Sequence, residues 1–142
     1  MAAVSINKQN FTYEFIKQVE SLAVSVLSKD APLSFIANFG FKCGREFEKF
    51  VGMTYIVGET GTGIVLNHAV AYFEAKVVNE IDVKTHTVFV GEIVVAKLLN
   101  YETPMTYDFF HQIKRGTTPK SAPIFMQAEM KEEIKDNSKY VC

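Results

Sequence analysis

The run AVAYFEAKVVNEI at 69–81 is followed, after a polar DVKT turn at 82–85, by HTVFVGEIVVAKLL at 86–99. Two long β-type runs joined by so short a turn pair antiparallel, and this excludes an all-helical chain. In the first run Ala71, Phe73, Ala75 and Val77 fall on one side, and Tyr72, Glu74 and Lys76 on the other. That alternation predicts a strand with one wet face. In the second run nearly every residue after His86 is apolar or β-branched, interrupted at Gly91 and Glu92. Gly91 marks either a bulge or a close backbone approach. An imidazole at the mouth of such a strand has three readings: a satisfied core histidine, a metal ligand, or a residue facing a bound cofactor.

The flanking segments are shorter. Val4 to Ile6 reads as a strand end, NKQNFT at 7–12 as a polar turn, and YEFIKQVES at 13–21 as a helix with Phe15, Ile16 and Val19 on one face. LAVSVL at 22–27 is a strand. Pro32 opens a second helix, with Gly40 as its natural stop. KCGREFEKFVG at 42–52 predicts a loop and one helical turn, and YIVGETGTGIVL a hairpin turning near Gly61 and Gly63. GETGTG opens no helix and has the wrong spacing for a dinucleotide fingerprint. The aromatic and basic stretch after Asn100 reads as irregular, and Met126, Met130 and Ile134 as a weak helical stripe. Together these elements predict a small β-barrel with helical decoration, not a βαβ fold.

A chain of 142 residues fits one domain. Its 48% apolar and 22% charged residues, with twelve Phe and six Tyr, are those of a globular core. A net charge of −1 leaves no footprint for nucleic acid. No apolar run is long enough for a membrane-spanning helix. The two cysteines make no disulfide framework, so a cytoplasmic location is the default expectation.

Three places carry candidate chemistry. In NKQNFT, Asn7, Lys8, Asn10 and Thr12 surround a helix N-terminus and form a candidate phosphate cradle. The plainer alternative is that Asn10 or Thr12 only caps the helix. In KCGREFEKF, Lys42, Arg45 and Lys49 with Gly44, Phe47 and Phe50 suit a loop wrapping an anionic, aromatic ligand. The alternative is a charged turn over a Phe core, with Cys43 an inert thiol. His86 is the third. His86, His68, His111 and Cys43 lack metal-ligand spacing, so no metal site is expected. No nucleophile sits in a triad-like setting.

NKQNFTYEFI, LAVSVLSKDAPLSFIANFGFKCGREFEKF, THTVFVGEIVVA and ETPMTYDFFHQIKRGTTPKSAP follow one another in an order that resembles the flavin reductase-like family, the FMN-binding split barrel. The resemblance spans residues 4 to about 123. It is closest to the flavin reductase domain of high-molecular-weight rubredoxins. It implies a mainly β Greek-key split barrel over 1–125, here lacking its first strands, a linker at 126–138, and KYVC at 139–142 as the start of a rubredoxin-like segment. One cysteine of the four an iron site needs gives no rubredoxin iron.

The resemblance also implies FMN held in a homodimer, NADH or NADPH as electron donor, and rubredoxin or a diiron protein as acceptor. Carried over by position, Asn7, Lys8, Asn10 and Thr12 would hold the flavin phosphate. Gly44, Arg45, Lys49 and Phe50 would line the rest of the site. Cys43 stands where serine is common. His86 would face flavin and nicotinamide as the catalytic residue, and His111 and Lys114 would help close the pocket. The alternative implied function is a flavin-binding electron carrier without nicotinamide activity, or an inactive fragment.

Overall fold

The computed structural model describes residues 1–112. In chain order it contains β1 (Ala2–Asn7), α1 (Phe11–Val19), β2 (Ser21–Leu27), α2 (Leu33–Gly40), β3 (Tyr55–Val57), β4 (Gly63–Val65), β5 (Ala69–Val83), β6 (His86–Leu98) and α3 (Tyr107–Gln112). The domain limit at 125, the linker, the KYVC segment, the Met126–Ile134 stripe and Lys114 lie outside the described residues.

β5 and β6 form the long antiparallel hairpin, and β1 and β2 add to its two sides in the order β1-β6-β5-β2. The result is a mainly β, curled half-barrel with few helices. Two irregularities accompany the curl. Glu74 and Ala75 face Val95 and Ile93, which leaves Val94 as an extra residue in β6; Val77 and Asn79 face Gly91 and Val90, which leaves Val78 extra in β5. Such bulges bend a strand and increase its twist. Between them, a Cβ on Gly91 would come within 2.9 Å of the Ala75 Cβ. Gly91 therefore permits a close approach, and it lies opposite Val77, next to the bulge.

α1 connects the two edge strands. Its Ile16 packs into a core with Leu22, Ala75 and Phe89, joined by Val4, Ile6, Tyr13, Val24, Phe73 and Val77. On β1 and β2 the even-numbered residues 4, 6, 22 and 24 face this core. The odd-numbered residues Ser5, Asn7, Ala23, Ser25 and Leu27 line a cavity on the opposite face. α2 begins directly after Pro32, as expected, and ends at Gly40, where the Phe41 N–H donates to the Ala37 carbonyl at 2.9 Å. The single helical turn expected in 42–52 is present where the Glu46 and Phe47 N–H groups donate to the Cys43 carbonyl. The aromatic segment read as irregular contains α3, whose first turn is fixed by the Thr106 Oγ1 accepting from the Phe109 N–H at 3.1 Å.

The wet face expected on β5 is wet only at Lys76. Tyr72 and Glu74 are buried, Glu74 to 1% exposure. The β3–β4 hairpin covers that face, and Glu74 holds it. Its carboxylate accepts from the Glu59 N–H at 3.2 Å, the Thr60 N–H at 2.8 Å and the Thr60 hydroxyl at 2.7 Å. Burial pushes the Glu74 carboxyl up, but these donors, helped by Lys97, outweigh it and hold the group below its ordinary value. Gly58 makes room: the Glu74 carboxylate occupies the space a Cβ on Gly58 would need.

Replacing Glu74 by Ala leaves buried hydrogen-bond donors unmet and is expected to cost about 1–3 kcal/mol in urea unfolding. A carboxyl lowered in the folded state stabilises fully above the unfolded glutamate pKa of about 4.3, and that contribution fades as pH falls through the lower folded value. Wild type should lose stability across that acid window, and Glu74→Gln should show less of the loss. Gly58→Ala should destabilise the hairpin and shorten its amide-exchange protection, since it displaces the carboxylate.

Candidate functional site

The cavity has a volume of about 910 Å³ and lies against the odd-numbered face of β1 and β2. Its other walls are the start of α1, the side of α2, the 41–50 loop and β4. β4 is fastened to the sheet by the Ser25 hydroxyl, which donates to the Val65 carbonyl at 2.7 Å.

The polar end comes from the turn between β1 and α1. The Asn7 side chain accepts from the Gln9 N–H at 2.9 Å, and the Asn7 carbonyl accepts from the Asn10 N–H at 2.9 Å. This tightens the turn and sets Asn10 at the N-cap of α1. Asn10 makes no side-chain capping bond there. Asn7, Asn10 and Thr12 all line the cavity at this helix start, where backbone N–H groups lack helical partners and the dipole favours an anion.

The opposite wall is aromatic. Phe35 and Phe39 pack 5.2 Å apart on α2, Phe39 meets Phe50 edge-on, and Phe50 meets Tyr55 at 4.9 Å. Phe50 thus belongs to a packed run of rings as well as to the cavity. Two glycines set its fit: a Cβ on Gly63 would stand 3.0 Å from the Phe50 ring, and one on Gly44 would stand 3.1 Å from the Phe11 ring. Lys49 spans the loop and α2, its ammonium donating to the Phe39 carbonyl at 3.0 Å while its own carbonyl accepts from the Asn38 amide at 3.2 Å. Burial holds its pKa below the usual lysine range.

Of the residues singled out from the sequence, the structure brings Asn7, Asn10, Thr12, Lys42, Gly44, Phe47, Lys49 and Phe50 into one cavity lining. Lys8, Arg45 and His86 stand beside it. Lys8 pairs with Asp82, and Arg45 pairs with Glu14 while stacking 4.3 Å over the Phe11 ring. His86 lies directly opposite Asn7 in the β1–β6 ladder, and its Nδ1 is 2.9 Å from the Thr85 hydroxyl. The reading missed Ser5, Ala23 and Ser25 as cavity residues; the even–odd split along β1 and β2 is the signal that could have found them. His111 packs between Tyr107 and Phe110 on α3 and is not in the cavity lining. Among the described residues no group of His, Cys, Asp and Glu is arranged to hold a metal, and no helix is long and apolar enough to cross a membrane.

The chain is similar to known proteins over most of its length. Residues 1–115 match the flavin reductase like domain. A high molecular weight rubredoxin from Moorella thermoacetica is 46% identical over 141 residues, covering 99% of this chain and 62% of the relative. The chain thus spans less than two thirds of that relative's length. A ferric-chelate reductase (NAD(P)H) from Archaeoglobus fulgidus is 46% identical over 127 residues, covering 89% of this chain and 75% of the relative. Among solved structures, an FMN-binding protein from Thermus thermophilus aligns with a TM-score of 0.59 at 25% identity, covering 68% of this chain and 54% of its own. The half-barrel is that of the flavin reductase split barrels. A domain match over most of the chain, two relatives at 46% identity and a shared fold agree: the chain belongs to the flavin reductase like domain family.

Proposed function

We propose that the protein is an NAD(P)H:flavin oxidoreductase that binds FMN in this cavity and passes electrons to an acceptor such as rubredoxin or a diiron protein. One observation carries the reading: a cavity of about 910 Å³ with an uncapped helix start at one end and a wall of phenylalanines along the other. The volume falls within the range of about 300–1,000 Å³ typical of small-molecule sites. FMN has the matching polarity, a phosphate at one end and a flat aromatic ring at the other. The names of the relatives support the same reading: one is a ferric-chelate reductase (NAD(P)H), one a rubredoxin, and one solved neighbour binds FMN.

In this reading Asn7, Asn10, Thr12 and the first N–H groups of α1 hold the phosphate, with Lys8 and Arg45 flanking it. Gly44 and Gly63 keep the walls close, Phe50 packs against the ring, and Lys49 braces the loop against α2. FMN, when bound, supplies the hydride-accepting chemistry, and the protein supplies position and a dry wall. His86, across the ladder from Asn7, borders the nicotinamide at the β1 edge. Apolar side chains are exposed on both faces of β5 and β6, Ile81 and Val83 on the cavity side and Ile93 and Leu98 on the other, which supports a homodimer.

FMN titration of the chain, followed by fluorescence quenching, tests the binding step. Asn10→Ala or Thr12→Ala should weaken FMN by about ten- to a hundredfold, in keeping with one lost hydrogen bond to a charged group, and riboflavin by less. No quenching at high flavin would sink the reading. In anaerobic stopped flow, NADH or NADPH should bleach the bound flavin, and His86→Ala should slow bleaching with little change in FMN affinity. Bleaching only by a protein donor would make the protein an electron carrier instead. Light scattering should report a dimer in wild type and a monomer in Ile81→Asp.

A further inference from the structure

The part of the cavity wall built by β1 and α1 holds Ser5, Asn7, Asn10, Phe11, Thr12 and Phe15 and has no charged side chain. Two cations flank it, and each is turned to a carboxylate. Lys8 follows Asn7 and pairs with Asp82 of β5 on the face that carries Ile6 and Thr87, so it reaches the cavity only by leaving that pair and turning across the end of β1. Arg45 follows Gly44, lies over the Phe11 ring, and forms two hydrogen bonds to Glu14 of α1. Both pairs are solvent-exposed, with side-chain exposures of 32% and 71% for Lys8 and Asp82 and 44% and 54% for Arg45 and Glu14. Exposed ion pairs are weak and exchange partners readily. The guanidinium fork fits a phosphate as well as it fits a carboxylate. Phe11 gives Arg45 a surface shared by both positions, because the same ring lines the cavity and carries the cation.

We propose that Glu14 and Asp82 set how strongly the site prefers a phosphate-bearing flavin over a phosphate-free one. Each carboxylate competes with the ligand's phosphate for one cation. Binding of FMN then breaks two ion pairs, and binding of riboflavin, which lacks the phosphate, breaks none. The inference rests on the flavin reading above and adds two acidic residues outside the cavity lining as its specificity determinants.

The test is calorimetric titration of the full chain, Glu14→Gln and Asp82→Asn with FMN and, separately, riboflavin. Each substitution should lower the Kd for FMN by about two- to fivefold, the scale of one exposed ion pair, and leave riboflavin unchanged. In an Arg45→Gln background, Glu14→Gln should have no effect on FMN. An unchanged Kd for FMN, or an equal change for both flavins, overturns the proposal at that carboxylate. A persistent gain in the Arg45→Gln background overturns it too, since Glu14 would then act by its own field. If neither flavin binds the wild-type chain, the flavin reading itself has failed, an outcome separate from a change in preference.

Discussion

The arrangement of core and cavity depends on the two-residue alternation of the edge strands. β1 and β2 each send alternate side chains to opposite faces, with 4, 6, 22 and 24 in the core and 5, 7, 23, 25 and 27 in the cavity. A slip of one residue would exchange the two sets, putting Val4 and Leu22 in the cavity and Ser5 and Ala23 in the core. The apolar even positions are what make such a slip costly. Because both edge strands carry the same division, the hydrophobic core fixes the cavity wall without any contact to a ligand. The β5–β6 hairpin in turn fixes β1 and β2, since each edge strand pairs with one of its arms.

Local pattern made most of this architecture legible. The strands at 4–6 and 22–27, the two early helices, the glycine hairpin and the long β5–β6 pair all come from runs whose periodicity and turn residues are contained within a dozen positions. The wet face of β5 was misread because the cover over Glu74 comes from the 58–60 turn, which is remote in pattern from the strand it shields. Alternation reports which residues share a face and does not report what lies on it. α3 was hidden for another reason: six residues hold less than two helical turns, too short for a period to show.

The site was legible in the same uneven way. Asn7, Asn10 and Thr12 were found because a strand, a polar turn and a helix start are local features, and the 41–50 loop because its glycine and basic residues cluster. What a single sequence does not expose is the partner of a surface charge. Lys8 and Arg45 were read as cavity cations, and their pairing with Asp82 and Glu14 joins positions 74 and 31 residues apart. The resemblance to flavin reductases supplied the order in which these segments meet, and the structure supplied which side chains share a wall.

The carboxylate of Glu74 fills the volume where a side chain on Gly58 would begin. The two positions therefore share one site in space, and they are not free to vary separately. A lineage could place alanine or serine at 58 only after residue 74 had become short enough to leave the gap. It would then need another acceptor for the amides of Glu59 and Thr60. In this chain glycine at the first position and a long acid at the second are coupled by occupancy, beside the hydrogen bonds that the acid accepts from the neighbouring turn.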